Sequence, residues 1–231
     1  MAKQTVYYAI GDIHGEASRL QDLHGHIDDF HRYAYSEHVK HIVHLGDYVD
    51  RGPNSRKVIE FLMSRQAASP ALVTCLMGNH EEMMLDAFKA KNRDFWRHNG
   101  GEETLNSYKV SEPENLPLEH IEWMRGLPTT FTPEGTDLIF VHAGVDPRTY
   151  PDDNEIKRRW MRGSRFFDTS KWTSPALQNK RVVHGHTPTD NHEADVTPDQ
   201  KRINVDTGAA YGGPITAAVL IGTEKPIFLQ A

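Results

Sequence analysis

Side chains that bind divalent cations recur in this sequence at the ends of apolar runs. They are Asp12 and His14, Asp47, Asn79, His142 and His186, each at or close to a glycine that lets backbone approach tightly. The stretch Ile42-Val43-His44-Leu45-Gly46-Asp47-Tyr48-Val49-Asp50-Arg51-Gly52 is the densest. Its apolar run breaks at glycine and releases two carboxylates and an arginine. A carboxylate at the C-terminal end of a buried strand is a common way for an α/β fold to present chemistry. Carboxylate, imidazole and carboxamide in this mixture suit two first-row divalent ions rather than one structural zinc. Ions roughly 3.5–4 Å apart need a bridging ligand, and Asp47, central in the series, is the expected bridge. Such ions polarise a phosphoryl oxygen and lower the pKa of a shared water towards ~7.

A site of this kind also needs a proton for the leaving oxygen and cations for the phosphate oxygens. His80, next to Asn79, is the expected acid, and Asp50 is expected to orient its imidazole and hold it protonated. Arg51 supplies a guanidinium fork that matches phosphate geometry. Taken singly, a strand-terminal Asp is often only a turn former, so the case rests on the whole set. His41 and His44 lie within the second apolar strand and are expected to pack or to face solvent. His24, His26, His31, His38, His98, His120 and His192 carry no spacing argument and are expected to face solvent. Met83 and Met84 are expected in the core, and Lys157, Arg158, Arg159 and Arg165 on a solvated face. His184 would share a face with His186 by strand alternation. Asp206 reads equally as a support for the site or as a turn residue, and Tyr211 as a border of the cleft.

Strand-like runs alternate with helical ones, the mark of a layered α/β domain. Residues 5–10 form the first strand, and residues 16–30 carry Leu20, Leu23, Ile27 and Phe30 at helical spacing. Residues 40–45 form the second strand, and 54–65 a helix with Asn54 or Ser55 as its N-cap. Residues 71–77 form the third strand, and a helix with Met83, Met84, Ala87 and Phe88 follows. A mostly helical insert is expected at about 92–128, and a cap at about 150–178. Strands at 138–141 and 181–183 lead to His142 and His184, and Ile203-Asn204-Val205 leads to Asp206. Apolar runs at 215–221 and 226–229 close the chain. Nothing reads as a repeat or linker, so one domain over residues 1–231 is expected.

The chain has 231 residues, 38% hydrophobic and 25% charged, which suits a globular domain. No stretch approaches the roughly 18–20 apolar residues of a membrane span, so no membrane partner is expected. Met1-Ala2-Lys3-Gln4-Thr5 runs into a strand without a secretion-signal layout. Cys75 is the single cysteine, which excludes an intrachain disulfide and a cysteine-cluster metal site. A cytoplasmic location is the expectation from both. The net charge of −6 argues against nucleic acid as a partner, since phosphate contacts need clustered Lys and Arg.

Taken in order, GDIHG (11–15), GDYVDRG (46–52), GNHE (78–81), HAG (142–144) and GHTP (185–188) resemble the phosphoprotein phosphatase family of metallophosphoesterases. The likeness is strongest to its short bacterial and phage branch, typified by the lambda protein phosphatase. It covers nearly the whole chain, through FWRHNGG (95–101), WMR (160–162) and VDTGA (205–209). The resemblance implies an α/β fold in which a β-sandwich is flanked by helices on both sides, four layers in the order αββα. It implies one ion on Asp12, His14 and Asp47, and another on Asp47, Asn79, His142 and His186. It pairs His80 with Asp50 as the acid and gives Arg51 and Arg162 to the phosphate. His186, followed by Thr-Pro, matches the family pattern where His184 does not, so His184 is expected to stand behind the ligands rather than among them. Met77 departs from it, because the phage relative has an arginine just before the GNHE glycine.

Three imidazoles and a carboxamide are poor magnesium ligands, so manganese is the expected ion, with iron, zinc, nickel and cobalt as alternatives. The expected substrate is a phosphorylated protein or peptide, carrying phosphoserine or phosphothreonine and also phosphotyrosine. A diadenosine tetraphosphate hydrolase is the alternative. Symmetrical dinucleotide hydrolases of this superfamily resemble the chain in GDIHG but usually lose the aspartate where Asp50 stands, so the intact VDRG favours the phosphatase. A scaffold without catalysis would be expected to lose ligands, and here every ligand is present.

Overall fold

The first strand, β1 (Thr5–Ile10), is apolar on both sides because both of its faces are covered. Val6, Tyr8 and Ile10 turn towards helices, while Tyr7 and Ala9 turn towards a second sheet. The computed structural model, which describes residues 3–231, continues with α1 (Ala17–Ala34), β2 (Val39–His44), α2 (Ser55–Ala68), β3 (Val73–Cys75) and α3 (Asn79–Phe88). The region 92–128 holds α4 (Arg93–Trp96), a wide turn over Arg97–Gly101, α5 (Glu102–Tyr108) and α6 (Leu118–Arg125). Then come β4 (Thr130–Phe131), β5 (Leu138–Val141), α7 (Glu155–Trp160), α8 (Ser164–Phe167), β6 (Arg181–His184), β7 (Asp195–Val196), β8 (Arg202–Asn204), β9 (Thr216–Leu220) and β10 (Ile227–Gln230).

The strands form two five-stranded sheets, β10-β9-β1-β2-β3 and β4-β5-β6-β8-β7. In the first, β1, β2 and β3 are parallel, with Ile10 opposite His44 and His44 opposite Cys75. In the second, β5, β6 and β8 are parallel, and β4 and β7 are antiparallel edges. One apolar layer, including Tyr7, Leu45, Leu76, Phe140, Val183 and Leu220, lies between the sheets. A second joins the outer face of the first sheet to α1, α2, α3 and the 92–128 region. A third lies outside the second sheet, where Phe166 and Leu177 cover Ile139, Val141 and Val182. Helices therefore flank both sheets, as expected, although the second is covered by short helices and single turns.

Helix α1 has no side-chain N-cap and contains Gly25, so its own propensity is modest. Burial of Leu20, Leu23 and Ile27 holds it, at about 1.5–3 kcal/mol per side chain. His24 lies on that same face and is buried, which corrects the expectation that it faces solvent. Its ring stacks on His44 at 5.2 Å, edge-on to Phe61. His120 is likewise buried, against the Tyr108 hydroxyl at 2.7 Å. His26, His98 and His192 are exposed. Met83 and Met84 are in the core, and Met77 is half-buried against it. Asn54 precedes α2 without capping it; the Ser55 hydroxyl accepts the Asp50 amide instead. No described helix is long and apolar enough to cross a membrane.

Candidate metal centre

Strands β1, β2, β3, β5 and β6 each end in a loop that carries one or more of the expected residues. All five lie parallel within their sheets, so their carboxyl ends converge on one crevice, the usual location for chemistry in α/β folds. The loops are laced together by backbone: the Ile13 and His14 amides donate to the Asp47 carbonyl at 3.0 and 2.9 Å. His14, Asp47, Asp50, Arg51 and His186 all have left-handed φ, between 46° and 71°. Each such residue costs of order 1–3 kcal/mol, so surrounding contacts must hold it.

Glu81 supplies much of that hold for Asp47. Its buried carboxylate accepts the amides of Asp47 (2.8 Å), Tyr48 (2.7 Å), Val49 (3.3 Å) and Gly78 (2.9 Å). Burial, and then the nearby Asp47 charge, push its carboxyl up to about 7 against the pull of these donors. Gly78 has no alternative: a Cβ there would strike the Asp47 carboxylate and amide.

Asp47 is the meeting point. Its Oδ2 lies 3.6 Å from His14 Nε2 and 4.0 Å from His80 Nε2, and its Oδ1 lies 3.3 Å from His142 Nε2. Asn79 Oδ1 lies 3.0 Å from His142 Nε2 and 2.8 Å from His186 Nδ1. The possible ligand atoms fall into two groups that share Asp47: His14 with His80, and His142 with His186. Asp12 stands outside both. Its carboxylate accepts the His186 amide at 3.1 and 3.2 Å and lies near Asp206. The buried Asp206 is thereby placed beside the site rather than in a distant turn.

These groups fit cations. His142 Nδ1 is 3.0 Å from the Leu45 carbonyl and so donates, as does His14 Nδ1 to the Val49 carbonyl at 2.9 Å. That leaves each ring's Nε2 facing the Asp47 carboxylate, and His142's also the Asn79 amide oxygen. Against the effect of burial, the Asp47 charge raises His142, so a cation there would displace a proton. Burial holds His14 at about 3, neutral as a ligand must be. Burial raises Asp12 well above the usual carboxylate range, and the charges of Asp206 and Asp47 raise it further. Burial also lifts Asp206 to about 6. Lone pairs and negative charge aimed at one buried space are what hard and borderline cations neutralise.

His80 and Asp50 form a buried pair, Nδ1 to Oδ2 at 2.7 Å. Asp50 also accepts the Trp96 indole N–H on both oxygens at 3.0 Å and the Thr104 hydroxyl at 2.7 Å. Burial pushes Asp50 up and His80 down to about 4, which corrects the expectation that Asp50 holds the ring protonated: burial outweighs the pull of the Asp47 charge on His80. Trp96 and Thr104 are donors here, so the carboxylate is the acceptor and His80 Nδ1 carries the shared proton. Both residues come from the 92–128 region, and sequence reasoning did not single them out. The FWRHNGG run was the available signal.

Two guanidinium groups reach the centre. Arg51 donates Nη1 to His14 Nε2 at 2.8 Å, and Arg162 donates Nε to His186 Nε2 at 3.0 Å. Arg51 is braced by its own amide on the Gly100 carbonyl at 3.1 Å and by the Tyr211 ring 5.4 Å away. With His98, Asn99 and Glu103 they line a cleft of about 440 Å³. Arg159 corrects an expectation: it is buried, not part of a solvated face, because Glu82 accepts its Nη2 at 2.7 Å. His184 shares no face with His186. It packs edge-on to Phe166 and accepts from Arg202 at 3.2 Å, since the left-handed backbone at His186 breaks the alternation.

Acidic and imidazole groups gathered at strand ends, with guanidinium groups beside them, define a metal-assisted hydrolase of phosphate esters. The chain belongs to the calcineurin-like phosphoesterase family, whose profile matches residues 6–211. Members of this family act with two divalent ions. The chain is 28% identical to an asymmetrical bis(5'-nucleosyl)-tetraphosphatase of Oceanobacillus iheyensis, over 90% of this chain and 86% of that one. It is 25% identical to serine/threonine-protein phosphatase 1 of Salmonella typhimurium, over 91% and 90%. Among solved structures, a protein described as a candidate diadenosine tetraphosphatase superposes with a TM-score of 0.67 at 20% identity. That match covers 99% of this chain and 98% of the other.

Proposed function

We propose that the chain hydrolyses phosphomonoesters on serine and threonine side chains of proteins or peptides, with activity on phosphotyrosine as well. The observation that carries this reading is the number of guanidinium groups that reach imidazoles of the centre. Among the described residues, Arg51 and Arg162 are the guanidinium groups hydrogen-bonded to imidazoles of the centre. Neighbouring Arg97, Arg158 and Arg159 are taken by Glu102, Asp153 and Glu82. Two forks suit the oxygens of one phosphoryl group, whereas a polyphosphate chain calls for a longer basic trough.

In this reading two ions, manganese foremost, would share Asp47. Asp12 and His14 would complete one set, and Asn79, His142 and His186 the other. When bound, the ions supply Lewis acidity towards the phosphoryl group and an activated water. Arg51 and Arg162 hold the non-bridging oxygens as charge spreads over them. As an imidazolium, His80 keeps its Nδ1–H on Asp50, which orients the ring, and gives its Nε2 proton to the departing serine oxygen.

A dinucleoside tetraphosphate is the second reading, favoured by what the Oceanobacillus relative is named for. Rates on a phosphoserine peptide, p-nitrophenyl phosphate and diadenosine tetraphosphate, measured side by side with added manganese, separate the two. A kcat/KM for the peptide well above that for the dinucleotide is expected. The reverse order overturns the proposal.

A further inference from the structure

The phosphate reading gives Arg162 a task, but Arg162 sits on a short extended link after a six-residue helix. Helix α7 ends at Trp160, Met161 is extended, and Arg162 follows at once. Its placement therefore depends on what fixes the end of α7. Arg158 offers its carbonyl to the Ala143 amide at 2.7 Å, which ties α7 to the loop after β5. The other tie is made by side chains. Glu82 Oε1 accepts Arg159 Nη2 at 2.7 Å, and Glu82 Oε2 accepts the Trp160 indole N–H at 2.6 Å. Both oxygens are thus used, by the two residues nearest Arg162 on its N-terminal side save one.

Glu82 is also well placed at its own end. It lies in the first turn of α3, three residues after Asn79 and two after His80. The Trp160 ring that it holds stands edge-on to His186, 6.2 Å between centroids. That is the imidazole to which Arg162 donates. A single carboxylate therefore joins the helix that starts with Asn79 and His80 to the segment that brings a guanidinium to His186. Although burial opposes ionisation, the donors from Arg159 and Trp160 hold Glu82 below the usual glutamate range, so it is a charged acceptor.

We infer that Glu82 is a positioning residue, which clamps the end of α7 through Arg159 and Trp160 so that Arg162 meets the phosphoryl group. The inference rests on the proposed phosphate-holding role of Arg162 and assigns Glu82 no contact with substrate. Without Glu82, Arg162 keeps its charge but spends less time in place, so substrate and product binding weaken while the chemistry of the ions remains.

The test is a double-mutant cycle on the full chain, with kcat, KM, the inhibition constant of inorganic phosphate, and metal content measured for each variant. Glu82→Ala is expected to raise KM and the phosphate constant about tenfold, the scale of a lost charge-assisted hydrogen bond. Metal content should not change. Glu82→Gln, which keeps one accepting oxygen, should recover part of the loss. In an Arg162→Ala background, Glu82→Ala should add less than about twofold, because the group it positions is gone. Multiplying losses in the double variant would overturn the inference, as would loss of metal from Glu82→Ala. So would an unchanged phosphate constant in Glu82→Ala when Arg162→Ala raises it. If Arg162→Ala itself changes nothing, it is the phosphate-holding reading that fails.

Discussion

Replacing His80 by Asn removes the ring that lies 2.7 Å from Asp50 and 4.0 Å from Asp47 Oδ2. As the proton donor, His80 is worth roughly 10²–10⁴-fold in rate, but only when the leaving group needs a proton. A serine alkoxide needs one. The p-nitrophenolate ion is stable enough to depart without it, so its loss should stay within about tenfold. Asp50→Asn tests the same pair from the other side. Its oxygens accept His80, Thr104 and the indole of Trp96, so an amide in either orientation turns an N–H towards a donor. One charge-assisted bond is lost, about 1.5–3 kcal/mol, or roughly 10–100-fold on the phosphoserine peptide. The assay is kcat/KM on a phosphoserine peptide and on p-nitrophenyl phosphate for both variants, with metal content determined in parallel. Equal losses on the two substrates would refute the proton route and move His80 to phosphate binding or water activation.

Trp96→Phe keeps an aromatic ring under Asp50 but deletes the N–H that both oxygens accept at 3.0 Å. Turnover of the phosphoserine peptide should fall about tenfold, with p-nitrophenyl phosphate nearly unaffected, and an unselective loss would count against it. Stability should depend on pH through His24, which burial lowers from 6.5 to about 4. The fold favours the neutral ring, so its contribution is complete above pH 6.5 and is lost as pH falls towards 4. That drop is worth about 3 kcal/mol. His24 alone should lower Tm by roughly 6–12 °C over that range, and His24→Phe should make the slope shallower by that share, with other buried imidazoles such as His41 and His80 supplying the rest. An equally steep slope in the variant would contradict this.

Much of the fold and centre was legible because each expected ligand sits where an apolar run meets glycine, and parallel strands bring such ends together. Asp47, Asn79, His142 and His186 could be placed on that ground, and the order of motifs supplied Arg162. Other parts depend on tertiary contacts that no local period reveals. Glu81 satisfies amides more than thirty residues earlier in the chain, and Trp96 and Thr104 reach Asp50 from the 92–128 region. Arg159 looked like surface because its partner, Glu82, is far away in sequence. His24 is different: it falls on the Leu20–Ile27 face, so helical spacing alone would have buried it. For His184, strand alternation was carried beyond the end of β6 to His186, the residue at which the backbone turns left-handed.

The central claim is that Asp47 holds together a two-ion centre that performs phosphomonoester hydrolysis. Elemental analysis of purified protein reconstituted with manganese tests it most directly, on the native chain and on Asp47→Asn, alongside phosphoserine-peptide turnover. The native chain should carry about two ions per chain and lose all activity with EDTA until manganese is restored. Asp47→Asn should lose ions and rate together. Full turnover by the metal-stripped native chain, or an Asp47→Asn chain that keeps two tightly bound ions and near-native turnover, would contradict the account.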